Sequence, residues 1–132
     1  MSLRHDCQKQ GCYKDTCIPD WEIFDGCFDA KSHKIKVSDV DGVVEINGHI
    51  LWLEWKRALS EISVGQKMLY QSFSSNSPKQ IVLVVVGPLG CPERYCIFNG
   101  GKQMPWLPCT REILRERMKR WTQRAMTHGG KA

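Results

Sequence analysis

Apolar and polar positions are most clearly organised over residues 38–56, where two apolar-rich runs flank a short polar break. The runs cover residues 40–46 and 49–55, and the break between them is Asn47-Gly48. This dipeptide is the strongest short signal for a two-residue β-hairpin turn, so the pattern predicts a hairpin. Residues 50–53 are all apolar, which is typical of a central strand that is covered on both faces.

The rest of the chain shows patterns of both helices and strands. The predicted elements before the middle of the chain are a short helix that opens at residues 19–21 and the start of a first strand at 35–37. After the hairpin, the pattern predicts a helix whose apolar positions begin at Leu59 and which ends near Ser74, a buried central strand at 80–87, an edge strand at 95–98 and a last helix at 110–126. Thr110 is expected to cap the last helix. Because helices and strands alternate along the chain, the fold class is α/β.

The length of 132 residues predicts a single domain with one modest core. Within it, residues 1–34 form a cysteine-rich N-terminal segment and residues 110–126 a basic C-terminal helix. The sequence shows neither the apolar core of a signal peptide nor an apolar run long enough to span a membrane. We therefore expect a cytoplasmic protein with no membrane partner.

Positive charge is concentrated at the C-terminal end. The whole chain has a formal charge of +5, whereas residues 102–132 contain eight basic and two acidic residues, a net charge of +6. This bias favours a polyanionic partner such as DNA. Arg115, Lys119 and Arg124 are the candidate phosphate-binding residues, although a charged helix can also be simply a solvated one.

The hairpin turn fixes which residues face each other across the two strands. A two-residue turn at Asn47-Gly48 places Asp41 opposite Glu54 and Asp39 opposite Lys56, all on one face. Two facing carboxylates repel each other unless a cation lies between them. A hard divalent ion such as Mg²⁺ or Mn²⁺ suits this position, because Mg²⁺ is commonly bound by one or two carboxylates together with water and phosphate.

Asp41 followed by Glu54-Trp55-Lys56 resembles the active-site motif of the PD-(D/E)XK nuclease superfamily. Gln66 and Tyr70 on the next helix resemble the QxxxY motif of its RecB-type branch, and the resemblance covers residues 37–87. It implies a restriction-endonuclease-like core, a central mixed sheet flanked by helices. The residue before Asp41 is valine where the motif has proline, which leaves Asp39 as a rival metal ligand.

The resemblance implies a small nuclease that hydrolyses DNA, of the kind that phages and mobile elements use in replication, recombination or repair. Asp41, Glu54 and the backbone carbonyl of Trp55 would hold the metal ion, and Lys56 would act on the water or the phosphate. Gln66 and Tyr70 would reach the scissile phosphate.

Simpler or additional roles stay open at several positions. Ser63 and Gln66 also fit a capping box at a helix start, and Tyr70 could belong to the core. Related nucleases often add a carboxylate from a helix before the hairpin, for which Glu22, Asp25 and Asp29 are candidates here.

The N-terminal segment carries the other candidate site. Cys7, Cys12, Cys17 and Cys27 could bind a structural zinc ion, although free or buried thiols are the alternative. Together with the basic C-terminal helix, these cysteines support a rival hypothesis, a non-enzymatic, zinc-stabilised nucleic-acid-binding module.

Overall fold

The structure is a computed structural model that describes residues 21–30, 34, 37–38 and 40–128. The chain divides into two units between residues 39 and 40. In the described part of the first unit, a 3-10 helix spans Trp21–Phe24. The rings of Trp21 and Phe24 are 6.4 Å apart and those of Phe24 and Phe28 are 6.0 Å apart. The short helix predicted to open at residues 19–21 is thus present from Trp21 onward, whereas residues 19 and 20 lie outside the described residues.

The described part of the second unit contains a mixed β-sheet and two α-helices, which confirms the α/β class. The strands are β1 (Gly42–Ile46), β2 (His49–Lys56), β3 (Gln80–Val86), β4 (Arg94–Asn99), β5 (Lys102–Gln103) and β6 (Leu107–Pro108), and the helices are α1 (Val64–Ser75) and α2 (Arg111–His128). The strand order is β1-β2-β3-β4-β5, and β6 also pairs with β4. The parallel pair β2 and β3 is joined through α1, whereas the other pairs are antiparallel.

The predicted hairpin has the predicted register. Ile46 pairs with His49, and the pairing continues to Gly42 and Leu53. Asn47 and Gly48 have φ angles of 51° and 83°. Positive φ at both turn residues is the requirement of a type I′ turn, which Asn-Gly meets at low cost.

Each face of the sheet is covered by one helix. On one face, Tyr70 of α1 packs with Val82, Val84 and Phe98. On the other face, Trp121 and Ala125 of α2 pack with the alternate residues of the same strands. The strands β2 and β3 are apolar on both faces because each face contributes to a separate core.

The fold departs from the sequence predictions at three places. The strand predicted at the sheet edge, β4, lies inside the sheet because the two-residue strands β5 and β6 pair with it. The helix α1 begins only at Val64, since residues 59–61 form a separate 3-10 turn. Residues 35 and 36 of the predicted first strand lie outside the described residues, and Val37 is not in a strand.

The helix α2 begins at the cap that the sequence predicts. The Thr110 hydroxyl accepts a hydrogen bond from the Ile113 N–H at 3.2 Å, which confirms the predicted cap of α2. In the described part of the chain, neither helix has both the length and the apolar character that crossing a membrane requires.

Candidate active site

The site forms where β2 extends beyond the end of β1. The strand β1 starts at Gly42, which pairs with Leu53, so no described residue continues β1 as a strand beside the last three residues of β2. The Lys56 carbonyl accepts a hydrogen bond from Gly87, on the β3 side. Because backbone groups alternate along a strand, those of Trp55 point the other way, and its N–H donates to Asp41 Oδ2 at 2.8 Å.

Three groups hold the Glu54 carboxylate from different directions. The backbone N–H of Asp41 donates to Oε2 at 3.0 Å, and the Tyr70 hydroxyl donates to Oε1 at 3.1 Å. Lys56 Nζ lies 3.9 Å from Oε1. Glu54 is only 5% exposed, which is unusual for a carboxylate and requires such partners. The hairpin and α1 together therefore fix the position of this side chain.

The surroundings of Glu54 favour its neutral form. Burial raises the pKa of the carboxyl above its usual value, and the negative charge of Asp41 raises it further. The hydrogen bonds from Asp41 and Tyr70 and the charge of Lys56 lower this pKa, but they do not offset burial. Burial and the adjacent Glu54 also raise the pKa of Tyr70, so its hydroxyl remains protonated and acts as a donor.

The oxygen atoms at this edge suit one kind of metal ion. The described residues contain no group of three or more His, Cys, Asp or Glu side chains that could hold a metal ion. Asp41 and Glu54 provide two carboxylates, and the Trp55 carbonyl points toward the same edge. Such a small all-oxygen set does not suit zinc, but it fits Mg²⁺, which keeps several water ligands.

A groove of about 950 Å³ lies along α2, and Asp41 and Glu54 are among the residues that line it. Its floor is apolar, and Leu53, Leu83 and Val85 of the sheet contribute to it. Arg111, Arg115 and Lys119 also line the groove; we call these three residues the basic ridge. They are four residues apart, so they lie on one side of the helix.

The basic ridge differs by one residue from the set chosen from the sequence. Arg115 and Lys119 line the groove as expected of a phosphate contact, but Arg124 is not part of its lining. Arg111 is the third cationic residue that lines the groove. The sequence contained a signal for this choice of residues. Positions 111, 115 and 119 are four residues apart and therefore lie on one face of a helix, whereas Arg124 is five residues beyond Lys119 and does not continue the series.

The two residues of the QxxxY-like motif differ in their contacts. Tyr70 is 2% exposed and contacts Glu54 directly. The Gln66 side chain accepts a hydrogen bond from the Ser63 N–H at 3.0 Å, and Ser63 Oγ accepts one from the Gln66 N–H at 3.1 Å. This is the capping box that the sequence offered as the simpler role. A catalytic role for Gln66 stays a prediction.

The remaining candidates belong to the N-terminal unit. Cys7, Cys12, Cys17 and the rival ligand Asp39 lie outside the described residues, whereas Cys27 is an exposed free thiol. The zinc site therefore stays a prediction. The same holds for a carboxylate contributed by Glu22, Asp25 or Asp29.

Comparisons with protein-family models, with curated proteins and with solved structures found no match. The site itself consists of two adjacent carboxylates, one lysine beside Glu54, and a groove with a basic ridge.

Proposed function

We propose that this chain is a metal-dependent nuclease of the PD-(D/E)XK type, with a restriction-endonuclease-like core, and that it hydrolyses phosphodiester bonds of DNA. One observation carries the proposal. Asp41 and Glu54 are joined at the edge of the sheet, Lys56 Nζ lies 3.9 Å from Glu54, and both acidic residues line the groove that also contains the basic ridge. Acidic groups that can hold a divalent cation thus lie beside cationic groups that can hold a polyanion.

The electrostatics of Glu54 support a functional role over a structural one. Burial and the Asp41 charge raise the pKa of Glu54, so keeping this carboxylate ionised costs folding free energy. A purely structural hairpin gains no stability from two adjacent carboxylates. Carboxyl groups whose pKa is raised by burial and a neighbouring like charge in a cleft are more typical of sites where a ligand or substrate compensates the cost.

Each side chain has a distinct part in the proposed reaction. The basic ridge would bind phosphates of the strand, and Lys56 would stabilise the negative charge that develops on the phosphate. Tyr70 and the Asp41 N–H would keep Glu54 in position. A bound Mg²⁺ or Mn²⁺ would supply an activated water and neutralise phosphate charge. Water adds to phosphorus in line as the P–O ester bond breaks, leaving a phosphate monoester and a free hydroxyl.

The variant Lys56→Ala tests the proposal. We expect it to abolish cleavage of DNA in the presence of Mg²⁺ while Mg²⁺ binding and the fold are retained, because Lys56 contacts Glu54 through its charge and holds no metal ion. Gel assays with circular and linear DNA would measure cleavage and show whether ends are required. Lys102→Ala, an exposed lysine on β5, is the matched control. Cleavage at the unmodified rate by Lys56→Ala would refute the assignment of this site.

A further inference from the structure

The floor of the groove is more apolar than contact with a phosphate backbone requires. Leu53, Leu83 and Val85 line it from the sheet, and Leu114 and Met118 line it from α2. Phosphates and sugars of a continuous duplex present mainly polar groups to a protein. An apolar cleft beside a row of cations instead complements a ligand that has a charged side and an apolar side.

Trp55 gives this groove an aromatic wall next to the carboxylates. Its side chain lies on the α2 side of the sheet, where it packs at the margin of the core. The indole N–H donates to the Gly87 carbonyl at 2.9 Å, which fixes the orientation of the ring. A fixed, partly buried indole is a suitable surface for a nucleobase, because every base has a face that can stack on an aromatic ring.

The basic ridge runs parallel to this apolar floor. From Arg111 to Lys119 the helix rises about 12 Å, so the ridge can face about three successive phosphates of one strand. Leu114 and Met118 lie next to the ridge on the same helix. The helix therefore presents a charged row and an apolar row side by side, as the backbone and the bases of one unpaired strand would require.

We propose that the groove binds single-stranded DNA, with the phosphates on the basic ridge and an unpaired base against Trp55 and the apolar floor. The identity of the polymer rests on the proposed nuclease function, whereas the preference for an unpaired strand rests on the groove itself. The natural substrate of the site would then be a single strand, a frayed end or an unpaired flap of DNA, and an intact duplex would bind more weakly.

Fluorescence anisotropy with the full chain tests this binding, with Ca²⁺ replacing Mg²⁺ to suppress cleavage. The probes are an oligothymidylate of about 12 nucleotides, within the usual site sizes, and the same strand with abasic positions. A hairpin duplex with as many phosphates and an oligouridylate complete the set. We expect the abasic strand to bind about 5- to 150-fold more weakly per lost stacking contact, and the duplex to bind more weakly than the intact strand.

Protein variants connect the effect to the aromatic wall. Trp55→Leu should bind the intact strand as weakly as the unmodified protein binds the abasic strand, and should no longer distinguish the two probes. Trp55→Phe should restore most of the difference. Trp106→Leu is the control, because Trp106 packs against the core on the opposite face of the sheet. Should Trp55→Leu fail to fold, the comparison of intact and abasic strands on the unmodified protein decides the question.

The outcomes separate this inference from the proposed function. Equal affinity for intact and abasic strands, or tighter binding of the duplex or of the RNA strand, would overturn the inference while leaving cleavage of DNA possible. Preferential binding of the intact single strand without any cleavage in Mg²⁺ would support the groove as a binding site and would refute the nuclease.

Discussion

Replacement of Glu54 by Gln measures most directly how much folding free energy the buried carboxylate costs. Burial and Asp41 raise the pKa of this carboxyl, so the folded protein holds the proton of Glu54 more tightly than the unfolded chain does. The stability that this group contributes is fully present below the unfolded pKa of 4.5 and is lost as the pH rises through the raised, folded-state pKa. Glutamine removes that dependence because it stays neutral.

The contacts of Glu54 indicate the size of the effect. Its attraction to Lys56 at 3.9 Å would be at most about 4 kcal/mol at an effective dielectric constant near 20. Desolvation exceeds this attraction, since the pKa is raised and Lys56 is the weakest of the influences on it. A glutamine oxygen can still accept from the Asp41 N–H, and its amide can donate to the Tyr70 oxygen. We therefore expect Glu54→Gln to gain about 0.5–2 kcal/mol at pH 8.

Urea unfolding followed by circular dichroism at pH 8 and pH 4.5 measures the gain. The advantage of Glu54→Gln should be largest at pH 8 and shrink at pH 4.5, and each kcal/mol should raise the melting temperature by about 4 °C. Glu116→Gln, an exposed position on α2, should show no such difference. Of these two variants, only Glu54→Gln should lose the cleavage of DNA. A variant less stable than the unmodified protein at pH 8 would refute this account of the carboxyl group.

Three further predictions concern the groups around the site. Tyr70→Phe should lower the free energy of unfolding by about 1.5–3 kcal/mol and raise the pKa of Glu54 further, because a hydrogen-bond donor to the carboxylate is lost. NMR titration of Glu54 measures the change in pKa. Gly87→Ala should destabilise the fold by at least about 1–3 kcal/mol in urea unfolding, because Gly87 has φ 152° and an added Cβ would lie 2.5 Å from a backbone oxygen. Gly42→Ala, with its nearest contact at 3.6 Å, should be tolerated. Replacing all three residues of the basic ridge by Gln should reduce the slope of log affinity against log salt by about two, as measured with single-stranded DNA, whereas Arg124→Gln should leave the slope unchanged.

Features with a local physical cause could be predicted from the sequence. Asn47-Gly48 fixes the hairpin because two adjacent residues must adopt positive φ, and that choice alone sets the register that brings Asp41 beside Glu54. The cap of α2 follows equally locally from Thr110, three residues before the N–H that it accepts. These features needed no knowledge of the rest of the chain.

Other features depend on segments that are distant in sequence. The strand β4 was expected at the sheet edge, but β5 and β6 cover it, and two-residue strands are too short to leave an alternating pattern. The bond between Tyr70 and Glu54 exists only because α1 packs on the sheet. The choice of Arg111 over Arg124 depends on which side of α2 faces the groove. The sequence determined the pair of carboxylates through a local turn, whereas only tertiary packing decided which side chains surround them, because packing joins residues whose separation along the chain leaves no local signal.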